Sequence, residues 1–232
     1  MLILAFDTSG LAGSVALLEG PQVLAQCVLD PNRRTAQTLA PAIVHVLAVA
    51  NRQPAQVQLV ATSIGPGSFT GLRIGVTAAK TFTYAVGAEV LGISTLEAIA
   101  HQSDPLAPQA EIHAVLDAQR KELFVGRFQS QPPLANDVLP RLTRLSPDAI
   151  IDIESWLGML PPGTVMIGPG LSRLVDRLPG GVAMAPEPQW EPQAATVGRL
   201  AWRDYQLGRR DDLWKLAPVY LRPSYAEEKA KK

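Results

Sequence analysis

Twice in this chain an apolar strand runs into an aspartate, breaks into a polar turn and returns as a second apolar strand. Leu2 to Phe6 meets Asp7, turns through Thr8-Ser9-Gly10 and returns over Ser14 to Leu18. Ile112 to Leu116 meets Asp117, turns through Ala118 to Glu122 and returns over Leu123 to Phe128. Both halves of the chain therefore begin with a strand, aspartate, turn, strand unit, and any fold for this chain has to accommodate that repeat.

The segments around the first unit alternate between strand and helix patterns. Val23 to Leu29 reads as a third strand, and Leu39, Ile43, Val46, Leu47 and Ala50 recur at helical spacing within Thr35 to Asn51. Leu59 to Ile64 reads as a buried strand, Thr70 to Val86 as a helix and Val90 to Ile93 as a strand. This alternation predicts an α/β layered domain with a mixed sheet. After the second unit come a Pro-broken connection from Gln131 to Pro147, a helix near Ala149 to Met159 and a strand over Val165 to Ile167. Gly168-Pro169-Gly170 then leads into a short helix, and a last helix spans about Ala194 to Leu207. The tail Glu227 to Lys232 is charged and is expected to fray. The expected boundary lies in the Pro-containing stretch Gln102 to Gln109. It gives a first domain of residues 1–104, joined by the last helix and tail 194–232, and a second domain of residues 105–193.

Composition narrows the function classes. Of the 232 residues 47% are hydrophobic and 18% charged, against an average of about 25% charged, so disorder is excluded and apolar surface is expected to await a partner. Lys plus Arg and Asp plus Glu both total 21, so no bulk positive field is present to hold nucleic acid by phosphate charge alone. The single cysteine, Cys27, excludes an internal disulfide and a multi-thiolate zinc site, and its apolar run predicts a buried thiol. Leu39 to Ala50, the longest apolar stretch, contains Pro41 and His45 and falls well short of the roughly twenty residues a membrane span needs. No basic segment precedes the first strand, so a cytoplasmic protein is expected.

Gly65-Pro66-Gly67-Ser68-Phe69-Thr70-Gly71 lies between a strand and a helix, where free N–H groups and the helix dipole can receive an anion. No Gly-Lys-Ser/Thr follows, so it is not a Walker loop, and a tight turn with Ser68 or Thr70 as N-cap accounts for the same residues. Asp7 and Asp117 could face each other across a cleft and organise a nucleotide metal, with Gly168 and Gly170 on the adenosine side. Against this, the turn after Asp117 carries Gln119-Arg120-Lys121 where small residues would admit a phosphate. Asp7, Gly67, Ser68, Asp117, Gly168 and Gly170 are therefore candidates for a vestigial nucleotide or anion site, and Asp117 reads equally as a turn or salt-bridge carboxylate. His45, His101 and His113 have no i, i+4 partner, so no metal is expected, and His45 reads as a satisfied structural histidine. No nucleophile elbow is present, so no catalytic residue is assigned.

The helix over Thr70 to Val86 carries two apolar faces. Leu72, Val76, Ala79 and Val86 line one, and Ile74, Ala78 and Phe82 line another. The preceding helix adds a second ridge at Ala36, Ala40, Val44 and Ala48. With Arg73, these residues form a candidate partner interface, while a helix packed between sheet and neighbour within one domain explains them as well.

Ile3-Leu4-Ala5-Phe6-Asp7-Thr8-Ser9 with Ser14-Val15-Ala16-Leu17, and above all Gly65-Pro66-Gly67-Ser68-Phe69-Thr70-Gly71-Leu72-Arg73-Ile74-Gly75, resemble the TsaB family, also called YeaZ. Gly92-Ile93-Ser94-Thr95-Leu96-Glu97, Leu116-Asp117-Ala118 and Tyr220-Leu221-Arg222 follow in the family's order, so the resemblance spans nearly the whole chain. It implies an actin-like fold of the sugar-kinase and chaperone-ATPase type, with two related domains of mixed sheets flanked by helices. It also implies a bacterial complex with TsaD and TsaE that puts threonylcarbamoyl on N6 of the adenosine beside the anticodon of tRNA. TsaD is the catalytic paralogue and carries a metal-binding His-x-x-x-His where this chain has Thr95 and Ile99, neither of which ligates as imidazole does.

The resemblance therefore implies a non-catalytic scaffold or activator. Its expected partners are a TsaD-like paralogue as heterodimer, a TsaE-like ATPase, and tRNA through the complex, with a homodimer when free. It implies no cofactor of its own and allows ATP in the assembled complex. Many relatives have His-Ser-Glu where this chain has Thr35-Ala36-Gln37. The alternatives are a stand-alone phosphotransferase or ATP-binding protein using Asp7 and Asp117, and a protease, for which no nucleophile and base are paired.

Overall fold

The computed structural model describes residues 1–103, 109–132, 134 and 138–222. Two mixed sheets carry the same strand order. In the first, β1 (Leu2–Asp7), β2 (Ser14–Glu19) and β3 (Gln22–Val28) form an antiparallel meander, and β4 (Leu59–Gly65) and β5 (Glu89–Ser94) add in parallel beyond β1. In the second, β6 (Glu111–Asp117) and β7 (Glu122–Ser130) form the antiparallel pair, with β8 (Leu142–Arg144) and β9 (Ala149–Asp152) both pairing with β7. There β10 (Val165–Ile167) and β11 (Ala183–Met184) add in parallel beyond β6. The two Gly-Pro-Gly segments come directly after the equivalent strands β4 and β10. This doubling, with helices against the sheets, is the actin-like architecture.

The central strand β1 is buried along its whole length, which is why its sequence is continuously apolar and does not alternate. Leu2, Leu4 and Phe6 face one layer with Leu39, Ile43, Val46, Leu47, Val76 and Ala79, from α1 (Thr35–Val49) and α2 (Phe69–Val86). Ile3 and Ala5 face the opposite layer with Val197, Leu200 and Ala201 of α5 (Ala194–Gln206). The last helix therefore completes the first sheet's sandwich from far along the chain. Gly198 makes the close approach possible, since a Cβ there would lie 3.1 Å from that of Ala5.

The short helix α3 (Thr95–Ala100) bridges the halves, with Ala98 in the α5 layer and Leu96, Ile99 and Ala100 in the core of the second sheet. That core also holds Trp156, whose Nε1 donates to His113 Nδ1 at 3.1 Å while His113 Nε2 lies 2.7 Å from Glu111. Accepting from the indole leaves the proton on Nε2, so His113 is neutral and donates to Glu111. Burial, the largest influence, lowers its pKa.

Several expectations change. The helix expected near Ala149 to Met159 is a strand followed by α4 (Ile153–Gly158), because Ala149 to Asp152 extend the ladder against β7 and Asp152 then caps the helix, accepting from Ser155 N at 2.9 Å. The Gln131 to Pro147 connection contains β8, and the sequence pattern does not anticipate α3. Glu122 begins β7 and does not belong to the turn. His45 is exposed on α1, not a buried structural histidine, and Cys27 is half-buried because β3 is an edge strand. Most of the boundary stretch, residues 104–108, and the charged tail 227–232 lie outside the described residues. Among the described residues no helix is long and apolar enough to cross a membrane.

Leu200 is fully buried between α5 and the first sheet. Leu200→Ala is expected to cost about 2–5 kcal/mol in unfolding free energy, read from urea denaturation, because the strands beneath it cannot collapse into the void.

Candidate functional site: the cleft between the two sheets

A cleft of about 1220 Å³ opens where the carboxyl ends of the central strands of both sheets meet. Such ends are where open α/β sheets place their ligands. From the first sheet it is lined by the turn after β1 (Ser9, Gly10, Leu11) and the loop Pro66 to Phe69. From the second it is lined by Leu116 to Gln119, Phe124 and Pro169 to Arg173, and Trp190, Glu191 and Val219 to Arg222 complete it. Gly67, Ser68 and Asp117 are lining residues, whereas Asp7, Gly168 and Gly170 lie beneath the surface.

The glycine pattern is read by the protein's own backbone. Gly67 has φ +154° and a Cβ there would lie 2.6 Å from the Ser9 carbonyl oxygen, which accepts from Ser68 N at 2.8 Å. A Cβ at Gly71 or Gly75 would strike Thr8, whose hydroxyl donates to the Gly71 carbonyl at 2.8 Å. Gly168 and Gly170 make the same close approach to Val115 and Leu116 in the second sheet. Ser68 is the N-cap of α2, its hydroxyl accepting from Gly71 N at 3.2 Å. The Ser68 amide and hydroxyl are thus both engaged, and the loop folds as the capped tight turn.

Asp117 accepts from Gln119 N at 2.7 Å and lies 4.0 Å from Arg173. It holds a turn in which Gln119, Arg120 and Lys121 all take positive φ, 63°, 54° and 62°. Its observed contacts are those of a turn and salt-bridge carboxylate, and three bulky left-handed residues leave no smooth approach for a phosphate. Thr95 and Ile99 are fully buried in α3. Among the described residues no group of three or more His, Cys, Asp or Glu side chains is placed to hold a metal.

Asp7 is wholly buried and accepts from Ser9 N at 3.1 Å and Ser9 Oγ at 2.9 Å. Burial outweighs these hydrogen bonds and raises its carboxyl pKa from 3.8 to about 6. Glu191, half-buried at the cleft edge, is raised first by burial and then by the charge of Asp7. No sequence signal marks Glu191, because only the fold brings the segment before α5 over Gly10, whose Cβ would lie 2.9 Å from Glu191 Oε2. Tyr220, Arg222, Phe124 and Trp190 are likewise cleft residues that the sequence pattern misses. Arg73, a candidate interface residue, is exposed on α2 and lies 3.9 Å over the Phe69 ring, with its Nε donating to Tyr220 Oη at 3.0 Å.

A carboxyl whose folded pKa lies above its unfolded value keeps a proton that the unfolded chain has released. Stability therefore falls as pH rises from about 4 through about 6, by on the order of 3 kcal/mol for Asp7. His101 acts in the opposite sense, since burial and then Arg203 lower its pKa from 6.5 to about 4, so its contribution is lost as pH falls through that range. Asp7→Asn is expected to remove the first slope alone. Urea unfolding of parent and variant across this window checks it, the variant gaining on the parent as pH rises.

The family model described as TsaD, tRNA N6-adenosine threonylcarbamoyltransferase, matches residues 23–176. The chain is 30% identical over 160 residues to the tRNA threonylcarbamoyladenosine biosynthesis protein TsaB of Bacillus subtilis, covering 69% of this chain and 66% of that protein. It is 32% identical over 129 residues to TsaB of Escherichia coli, covering 56% and 55%. The chain thus spans a little under two thirds of the first relative and about half of the second. Its fold matches YeaZ from Pseudomonas aeruginosa with a TM-score of 0.77 and 26% identity, covering 95% of this chain and 99% of that one. With the doubled sheet and the glycine turns already in place, the likenesses to the TsaB proteins and to YeaZ agree: the chain belongs to the TsaB (YeaZ) family.

Proposed function

We propose that this chain is a non-catalytic scaffold subunit in the synthesis of threonylcarbamoyladenosine on tRNA, acting by pairing with a TsaD-like paralogue. The observation that carries this reading is the outer surface of α1. Ala36, Ala40, Val44 and Ala48 are all exposed, Val44 to 66% and the neighbouring Val49 to 61%. Ile74, Ala78 and Phe82 of α2 are half-buried beside the same core layer. Small residues in an exposed row let another helix backbone approach closely, and a contiguous exposed apolar row is the kind of surface that association covers. Arg73 is exposed on α2 and held by Phe69 and Tyr220, a fixed charge beside this surface. The names of the related proteins support the pathway. The neutral net charge supports reaching tRNA through partners and not alone.

In this reading the chain contributes conformationally. It holds the paralogue in its active arrangement, by no more than the difference in its affinity for the paralogue's active and inactive states. A TsaE-like ATPase completes the assembly, the free chain self-associates through the same ridge, and any ATP is bound by the assembled complex.

Val44→Arg, at an exposed position, is expected to leave the fold intact and weaken both self-association and paralogue binding at least tenfold, about 1.4 kcal/mol. Ala78→Arg is expected to do the same with some loss of stability. Sedimentation velocity and calorimetry read both, and parental affinities in the two variants would remove the ridge from the interface. Reconstitution with each protein omitted in turn tests the role itself. Modified adenosine should vanish when this chain is left out, and this chain without the paralogue should form none. Titration with magnesium ATP is expected to give no low-micromolar site on the free chain, a site of that strength corresponding to about −8 kcal/mol.

A further inference from the structure

The segment after α5 returns along α2 and then crosses the mouth of the cleft. Lys80 Nζ donates to the carbonyls of Trp214 at 3.0 Å and Leu216 at 3.3 Å, fixing the approach. Val219 N then donates to the Ile64 carbonyl at 2.7 Å, extending the edge where β4 ends. Gly65, at φ +122°, admits this crossing, because a Cβ there would lie 2.5 Å from the Val219 carbonyl oxygen. Tyr220 packs its ring 4.9 Å from Phe69 and accepts from Arg73. Two residues on, the Arg222 guanidinium pairs with Glu122 at the start of β7, on the opposite sheet.

We propose that Val219 to Arg222 is a clasp that holds the two halves together over the cleft, with the Glu122–Arg222 ion pair as its release point. The two ends of the crossing are unequal. On the first sheet it is anchored by a backbone hydrogen bond, a ring contact and the Arg73 guanidinium, while among the described residues it is the Arg222 ion pair that reaches the second sheet. Arg222 and Glu122 are 20% and 36% exposed, so water and salt reach the pair and weaken it, whereas the backbone hydrogen bond and the ring contact at the other end carry no net charge for salt to screen. On the other side of the cleft the halves are joined firmly by the burial of α3, with Ala98 in the core of the first half and Leu96, Ile99 and Ala100 in that of the second. There Glu97 receives Arg203 at 2.8 Å and pairs with Arg144 at 3.5 Å, and Ser94 Oγ bonds Asp148 at 3.3 Å. A firm junction on one side and a weak ion pair on the other is the arrangement of a hinge with a latch. The cleft of about 1220 Å³, which Tyr220 and Arg222 line, would widen when the latch releases, and whatever enters it must compete with these two residues for the space. This holds whichever partner the chain engages.

The test places spin labels at Leu11 and Arg173, exposed rim positions on opposite sheets, 91% and with an 87% exposed side chain respectively, in the full chain carrying Cys27→Ser. Pulsed electron–electron double resonance reads the distance between them. Arg222→Ala is expected to shift the distribution to longer distances and broaden it. Glu122→Gln should do the same without altering the C-terminal segment, and the exchange Glu122→Arg with Arg222→Glu should restore the parental distribution. High salt should move the parent toward the Arg222→Ala distribution. Superimposable distributions for the parent and both single variants, with native circular dichroism, would overturn the proposal. So would an exchanged pair as broad as the single variants.

Discussion

The Gly-Pro-Gly turn lies so close on the turn after β1 that no side chain fits between them, and the rest of the first half depends on that contact. The Ser9 carbonyl accepts from the Ser68 amide, the Thr8 hydroxyl donates to the Gly71 carbonyl, and Gly71 and Gly75 let α2 start directly against Thr8. With its first turns fixed in this way, α2 must run back across the sheet and seal Leu4, Phe6 and Val60 beneath Val76 and Ala79. The same crowding sets the cleft floor, because Ser9, Gly10 and Gly67 form its first-sheet wall. Glycine here serves close backbone approach, which a phosphate-binding loop also needs, so the sequence pattern by itself does not separate the two uses.

The electrostatics divide along the same line. At the junction around α3 each charge has a partner of opposite sign. Arg203 joins Glu97 and Asp204, Arg209 joins Asp204 and Asp211, and Asp211 in turn accepts from Gly92 N. His101 stays neutral there because it is buried and its Nε2 faces Arg203 at 3.2 Å. At the cleft, Asp7 is buried against neutral donors and lies near a second carboxylate, Glu191, so desolvation wins and the proton is retained to higher pH. The junction is held by charge, whereas the cleft floor is held by close packing and carries the cost of a buried acid.

The parts of the fold legible in the sequence are those that local pattern controls. The duplicated strand, aspartate, turn, strand unit, the strands of the first sheet and the long helices α1, α2 and α5 are all visible there, since each has its periodicity and its breakers in place. Ala149 to Met159 reads wrongly as one helix because four residues, Ala-Ile-Ile-Asp, belong to a ladder whose partner lies more than twenty positions away, and helical spacing alone cannot register that. His45 reads wrongly as structural because a largely apolar helix suggests burial all round, whereas α1 leaves Val44, His45 and Ala48 outside. In the cleft, Asp7 and the glycines are legible as turn punctuation. Glu191, Trp190 and Tyr220 are not, because they arrive from segments far apart in the chain and carry no spacing relative to Asp7. The run Tyr220-Leu221-Arg222 stands out as a string of residues, but its path across the cleft depends on Gly65 yielding space to Val219, a tertiary contact.

The two halves share strand order and glycine turns, yet they diverge beyond those turns. After β4 the chain builds the eighteen-residue helix α2, while after β10 it builds only short 3₁₀ turns through Pro169–Arg173 and Val175–Arg177. The first half also has the fifteen-residue α1 between its third and fourth strands, where the second half has the six-residue α4. A short helix can cover a core with one large side chain, as α4 does with Trp156, and then offers no long face outward. Two long helices side by side cover the first core and still present an exposed row of small residues on α1. In the function proposed above, that row is the association surface, and it lies on the half that carries the two long helices. Pairing through that surface leaves the latch between Glu122 and Arg222, which lies at the cleft mouth away from the outer face of α1, free to open or close.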